Sequence, residues 1–213
     1  MKYSRIFIFI VIATTFVVGL WLYPQMPERM ASHWNTQGEV DGYLPKFWGI
    51  FLLPMIMIVL ALLFEYVIPN IDPFKKNYES FRKYYDGFVV ALILFLVFIY
   101  KLTILWSLGF RFDIGQLITP AIGAFFYYIG SMLPHVKRNW FMGIRTPWTM
   151  SSNSVWEKTH KRGGILFKAA GIIIILSILA PKFLFPLIII PAISITVYLV
   201  VYSYLLYRKE KTA

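Results

Sequence analysis

Residues 88–107 read FVVALILFLVFIYKLTILWS and decide the fold, because Lys101 is the single charged residue among twenty. An α-helix rises about 1.5 Å per residue, so about 20 apolar residues cross the roughly 30 Å hydrocarbon core of a bilayer. The stretch therefore predicts a transmembrane helix.

Five further apolar stretches of similar length flank this one, at residues 6–23, 48–68, 114–133, 164–180 and 183–207. The chain is 59% hydrophobic and 15% charged, where a soluble domain carries about a quarter of charged residues. The first stretch follows the basic residues Lys2 and Arg5, as a signal peptide would, but it lacks a small-x-small cleavage site and ends at Pro24. We expect an uncleaved anchor and an all-α polytopic membrane protein with six transmembrane helices.

Lys and Arg are distributed unequally between alternate connecting segments. Outside the spans, fifteen fall on the side of the two termini and four on the other side. The positive-inside rule then places both termini in the cytoplasm. The net charge of +11 lies between apolar stretches and forms no basic face, so direct nucleic-acid binding is not predicted. The chain has no cysteine, which excludes disulfides and thiolate metal sites.

Two units are expected from this pattern. Residues 1–68 would form a two-span unit with an outer loop at 24–47, and residues 69–213 a four-span unit with a cytoplasmic loop at 134–163. In the fourth span, Gly123 and Gly130 are seven residues apart and share a face, which predicts close helix packing there.

Three charged residues fall within predicted spans, and intramembrane charges usually have a partner. Glu65 and Lys168 lie near the same surface and are a candidate ion pair. Lys101 either extends toward the outer surface or pairs with an outer acid; the candidates are Asp113, Asp41 and Glu39. No group of acids occurs at mid-depth, which weakens a transporter interpretation.

The outer loop concentrates its chemistry in His33, Trp34, Asn35, Asp41, Gly42 and Tyr43. Gly38 and the pair Asp41-Gly42 are turn signals, and Asn35 and Asp41 can bind backbone amides. The favoured interpretation is a compact cap over the helices. The alternative is a face that meets a ligand. A metal site of His33 with Glu28, Glu39 or Asp41 has weak support, because no second histidine lies at ligand spacing, and none is predicted.

The inner loop carries GIRTPWTMSSNSVW, residues 143–156, whose candidate site residues are Arg145, Thr146, Pro147, Trp148 and Trp156. Trp148 could stack on the proline or on the guanidinium. Ser154 and Glu157 suggest a capping box for a short interfacial helix that ends at Gly163-Gly164 and carries Trp156, His160 and Gly163 on one face. This loop is either a self-contained plug, which is favoured, or a docking face for a cytoplasmic protein.

Two motifs carry a resemblance to a known family. MPERMASHWNTQGEVDGYLPK at residues 26–46 and NWFMGIRTPWTMSSNSVWEKTHKRGG at residues 139–164 resemble the SdpI family of bacterial membrane immunity proteins in order and spacing. The resemblance implies a multi-pass protein of the bacterial cell membrane that protects against a secreted toxin. It also implies a signalling role, in which a DNA-binding autorepressor is held at the cytoplasmic face.

The resemblance supplies no catalytic residue and no cofactor. The chain has no H-E-x-x-H, G-x-S-x-G or P-loop motif, and its three histidines lie far apart, so an enzyme is not expected. The expected partners are membrane lipids, a toxin at the outer loop and a repressor at the inner loop. The alternative function is a small multi-pass transporter, for which Pro54, Pro186 and Pro191 give some support.

Overall fold

A computed structural model describes residues 2–212, apart from the side chain of Lys2. Lys2 is one of the fifteen basic residues predicted on the side of the termini, and its side chain lies outside the described part of the chain. Eight α-helices and one hairpin follow in chain order: α1 (Lys2–Leu22), β1 (Arg29–Trp34), β2 (Val40–Pro45), α2 (Lys46–Leu62), α3 (Ile68–Ile71), α4 (Tyr78–Ser107), α5 (Ile114–Met132), α6 (Pro147–Ser151), α7 (Asn153–Leu176) and α8 (Leu184–Thr212). A π-helical turn, Leu63–Val67, joins α2 to α3 without a break.

Six helical segments of the described chain are long and apolar enough to cross a membrane. They run through Tyr3–Gln25, Lys46–Ile71, Lys75–Ser107, Ile114–His135, Asn153–Leu179 and Pro181–Thr212. The predicted all-α polytopic architecture is confirmed. The orientation of the termini stays a prediction.

The residues group into two compact units. One contains residues up to Val67 together with Val89–Ile118, and the other contains Ile68–Phe88 together with residues from Thr119 onward. The first unit buries apolar side chains from α1, the hairpin, α2 and α4. Its large, fully buried side chains include Ile8, Met30, Ile50, Met57 and Ile93. The functional boundary expected at residue 68 stays a prediction.

In the second unit, α5 and α7 pack through glycines. A Cβ at Gly123 would lie 2.7 Å from the carbonyl oxygen of Gly171, and one at Gly130 would lie 2.8 Å from that of Gly164. Real Cβ contacts are not that short, so the two helices approach this closely only because these positions lack side chains. The predicted glycine face of the fourth span is confirmed.

The third span begins earlier than the apolar stretch predicts. The apolar stretches 48–68 and 88–107 leave residues 69–87 as a predicted loop, but α4 begins at Tyr78, with a kink at Phe81. Tyr78, Phe81 and Tyr85 are all buried, and Arg82 pairs with Asp86 one turn later, Nε to Oδ1 at 2.6 Å. The charged residues lower the mean hydropathy of this segment, so the apolar stretch did not extend over the first turns of α4, whose apolar side packs on protein.

The inner loop also contains more helix than predicted. The prediction of a separate interfacial helix that ends at Gly163-Gly164 is wrong, since α7 continues through both glycines. Gly163 faces Ile144 and Leu199, and Gly164 faces the backbone of Gly130, so the glycines serve close packing rather than a hinge.

The outer loop, predicted as a compact cap, forms a two-stranded antiparallel hairpin. Arg29 pairs with Pro45 at its base and Trp34 with Val40 near its tip, with irregular register around His33. The turn signal at Gly38 is confirmed by a φ of 80°. The turn expected at Asp41-Gly42 is wrong, because both residues lie within β2.

Candidate functional site

The hairpin tip is organised by Asn35. Its Oδ1 accepts hydrogen bonds from the backbone N–H groups of Gln37 at 3.0 Å and Glu39 at 2.9 Å. Its own N–H donates to the Glu39 carbonyl at 2.9 Å. These bonds satisfy the turn locally, as asparagine commonly does. The predicted backbone role of Asn35 is therefore confirmed.

His33 and Asp41 form an exposed pair across the two strands. His33 Nδ1 lies 2.5 Å from Asp41 Oδ1, and the side chains are 70% and 45% exposed. Asp41 thus binds the imidazole of His33, and the prediction that Asp41 binds backbone amides is wrong. Gly42 makes the pair feasible, because a Cβ there would lie 2.8 Å from the Cβ of His33.

Aromatic rings anchor the hairpin to its own unit. Trp34 meets Trp106 of α4 edge to face, with ring centroids 5.8 Å apart. Its indole Nε1 is buried and has no hydrogen-bond acceptor among residues 2–212. Tyr43 is 50% exposed and lies under the guanidinium of Arg29, 5.4 Å from ring centroid to Cζ. The hairpin is therefore held at Trp34 and presents His33, Asp41 and Tyr43 to the surroundings.

The inner segment is anchored by two buried polar residues. Asn139 Oδ1 accepts from the N–H groups of Phe141 and Met142, at 2.9 and 2.6 Å, and its amide donates to the Lys137 and Met142 carbonyls. Asp72 accepts from the Trp140 N–H and the Tyr78 hydroxyl, each at 2.9 Å. All of these bonds lie inside one unit, and buried polar groups so satisfied define a single conformation.

His160, Trp156 and Gly143 form the centre of this segment. His160 Nδ1 donates to the Trp156 carbonyl at 2.8 Å, and Nε2 accepts from the Ile144 N–H at 3.0 Å. This pairing requires the neutral Nδ1–H tautomer. The Trp156 ring stacks on the imidazole at 4.0 Å, and its Nε1 donates to the Val136 carbonyl at 2.8 Å. The face predicted to lie on lipid is therefore buried in protein.

The threonine-proline turn begins a short helix. Thr146 and Thr149 cap it reciprocally: the Thr149 N–H donates to the Thr146 hydroxyl at 3.2 Å, and the Thr146 N–H donates to the Thr149 hydroxyl at 2.9 Å. Pro147 occupies the first helical position, which suits its missing N–H. The capping box predicted at Ser154 and Glu157 is wrong, because Ser152 caps α7 through the Val155 N–H at 3.2 Å.

Trp148 and Arg145 have different partners from those predicted. Trp148 packs against Tyr204 of α8, with ring centroids 5.1 Å apart, and neither Pro147 nor Arg145 is its stacking partner. Arg145 Nη1 donates to the Trp140 carbonyl, and the side chain is exposed. Trp140 itself is 51% exposed. The segment thus satisfies many of its polar groups internally and presents Trp140, Arg145 and Pro147 on its surface.

The intramembrane charges are arranged differently from the prediction. Glu65, with a fully buried side chain, accepts from Arg5 Nε at 2.6 Å, so the predicted pair of Glu65 with Lys168 is wrong. Arg5 also donates to the Glu65 carbonyl at 3.2 Å, at the π-helical turn. Lys101 is exposed and forms no ion pair within the described chain, so the predicted pairing with an outer acid is not present there.

Among residues 2–212, no cluster of three or more His, Cys, Asp or Glu residues could hold a metal ion. Sequence reasoning missed Asp72, Asn139 and Arg5. The dipeptide Asp72-Pro73 is a turn signal that could have drawn attention to Asp72. Nothing in the local sequence marks Arg5 as the partner of a residue sixty positions away.

Comparisons with known proteins bear on both ends of the chain. Residues 10–58 match a domain of unknown function, DUF1648, and residues 135–203 match the SdpI/YfhL protein family. The chain is 26% identical, over 201 residues and 94% of each chain, to the protein named "Immunity protein SdpI" from Bacillus subtilis (strain 168). No solved structure gives a significant match. With its six apolar helices, the chain is a multi-pass bacterial membrane protein.

Proposed function

We propose that this protein is a non-enzymatic membrane immunity protein that protects its cell from a secreted toxin. The observation that carries the proposal is the similarity to an immunity protein along 94% of both chains, which covers the hairpin and the inner segment together. The structure adds a surface suited to recognition.

The hairpin is the proposed toxin-contacting surface. The exposed side chains of His33 and Asp41 lie 2.5 Å apart, so they present an imidazole and a carboxylate in one defined geometry. Such preorganisation reduces the entropic cost of binding. Exposed Tyr43 adds the type of side chain that is enriched at binding surfaces.

Survival of toxin-sensitive bacteria tests this proposal. Cells expressing the protein should survive a toxin concentration that kills control cells. Asp41→Asn removes the charge and should weaken toxin binding about tenfold, which corresponds to roughly 1.4 kcal/mol for one charge-assisted contact. Gln37→Ala, on the exposed tip of the same hairpin, is the matched control and should protect fully. Wild-type protein that accumulates in the membrane and gives no protection would refute the proposal.

A second proposed role is signalling through the inner face, where Trp140, Arg145 and Pro147 are exposed. An exposed indole beside a guanidinium is a combination common at protein interfaces. A DNA-binding autorepressor encoded beside the gene, fused to a fluorescent protein, should move to the membrane when toxin is present. Trp140→Ala with Arg145→Ala should abolish this movement while protein levels stay normal. Loss of the protein itself would show that these side chains serve only the plug.

The alternative function is a small transporter. The ion pair of the buried Glu65 with the partly exposed Arg5 lies at a π-helical turn and favours this function, because π-helical turns are frequent at functional sites. Proteoliposome flux decides between the two. Ion or proton flux that Glu65→Gln abolishes would support transport, whereas protection without any flux supports immunity alone.

A further inference from the structure

A groove of about 490 Å³ runs between α1 and α4 within the first unit. Apolar side chains form nearly all of its walls, among them Ile10, Val18 and Trp21 from α1 and Val97 and Ile104 from α4. Lys101 also lines it and is the only charged residue that does so among those described. We infer that this groove binds one anionic phospholipid, with an acyl chain along the groove and the phosphate at the Lys101 ammonium.

The dimensions of the groove favour a lipid chain over a helical peptide. The groove extends about 16 Å from Val97 in α4 to Leu108, the residue just after α4, which is close to the roughly 15 Å depth of hydrocarbon in one leaflet. An acyl chain is much narrower than an α-helix, which measures about 10 Å across with its side chains, so an acyl chain fits more readily between two neighbouring helices.

The charge pattern favours an anionic headgroup. Lys101 has no acidic partner within residues 2–212, although Glu65 in the same unit is paired. A charged amine inside a membrane span needs an anion or access to the interface. An occupant with one long apolar part and one anionic group matches both the apolar walls of the groove and the positive charge of Lys101.

The depth of Lys101 is consistent with a phosphate at the interface. Lys101 lies seven residues before Leu108, or about 10 Å along the helix, and a lysine side chain can extend several ångströms toward the headgroups. Trp21 lines the same groove and is 70% exposed, as is typical of tryptophan at the membrane interface.

Lipid titration of the delipidated full-length protein, followed by native mass spectrometry, tests the inference. The wild type should bind phosphatidylglycerol about fivefold more tightly than phosphatidylcholine, the factor expected for one lysine near an anionic headgroup. Lys101→Gln should remove this preference, and Lys101→Arg should keep it. Val97→Trp should fill the groove and weaken the binding of both lipids.

Lys168→Gln is the matched control, because Lys168 is also a lysine within a span but does not line the groove. It should leave the preference unchanged. Equal binding of the two lipids to the wild type, or an equal effect of Lys168→Gln and Lys101→Gln, would overturn the inference. So would photocrosslinking from position 97 in cells that captures a peptide and no lipid. Helical content and monodisperse elution confirm that each variant is folded.

Discussion

Replacement of Gly143 by alanine tests the account of the inner segment most directly. Gly143 has a φ of 106°, a conformation that L side chains rarely adopt. A Cβ at this position would lie 2.3 Å from His160 Nε2. The imidazole cannot move aside freely, because it is stacked on Trp156 and hydrogen bonded at both nitrogens.

The expected loss of stability has two parts. A non-glycine residue in the left-handed region costs about 1–2 kcal/mol. Displacing His160 leaves the Ile144 N–H without its acceptor, which costs about 1–3 kcal/mol in a buried setting. Gly143→Ala should therefore reduce the free energy of unfolding by about 2–5 kcal/mol. Reversible unfolding in mixed micelles, followed by circular dichroism, measures this quantity.

Gly109 provides a matched control within the same protein. Its φ is 100°, but a Cβ there would meet no atom within 4 Å. Gly109→Ala should therefore lose only the backbone part, about 1–2 kcal/mol. In the double variant Gly143→Ala/His160→Ala the clash is absent, so its loss should be smaller than the sum of the single losses. Equal destabilisation by Gly143→Ala and Gly109→Ala would refute the proposed contact with His160.

Three further variants probe packing and buried polar groups. Arg5→Leu should reduce the free energy of unfolding by about 2–4 kcal/mol, because it removes the guanidinium that faces the buried Glu65 carboxylate. Adding Glu65→Leu should recover part of this loss, and additive losses would contradict the coupling of the two side chains. Gly130→Ala should lower the free energy of unfolding by about 1–3 kcal/mol, because the added methyl group forces α5 away from α7. Ala124→Leu, on an exposed face of α5, is the control and should leave the stability unchanged; the temperature of aggregation in detergent measures both effects. Trp156→Phe should cost about 1–3 kcal/mol, since it leaves the Val136 carbonyl without its donor, and unchanged denaturant unfolding would show that water replaces the indole.

The limits of sequence reasoning are clearest at the ends of the helices. The apolar stretch 88–107 located the third span, yet α4 begins at Tyr78, in a segment where charged and aromatic residues are mixed. Hydropathy averages a window and does not register a helical side that packs on protein. The hairpin was missed for a related reason, since Asp41-Gly42 is a common turn signal but here lies within β2, where glycine admits the His33 side chain.

Among the candidate site residues, those with local roles were the more predictable. Asn35 binds amides two and four residues away, and Thr146 caps the helix that follows it, so short-range rules apply to both. His33 and Asp41 are close in sequence, but their pairing depends on the strand register. The prediction paired Glu65 with Lys168, but its partner is Arg5, because the partner depends on which helices touch.

The sequence by itself determined the membrane as the solvent, the number of spanning helices and the close approach through Gly123 and Gly130. These properties depend on length, hydropathy and side-chain size, which are local. Only the tertiary structure decided that Arg5 neutralises Glu65, that Asp72 and Asn139 hold the inner segment, and that His160 is buried rather than exposed to lipid. Hydrogen bonds and ion pairs act over about 3 Å, so residues far apart in the chain acquire their roles only once the helices have packed.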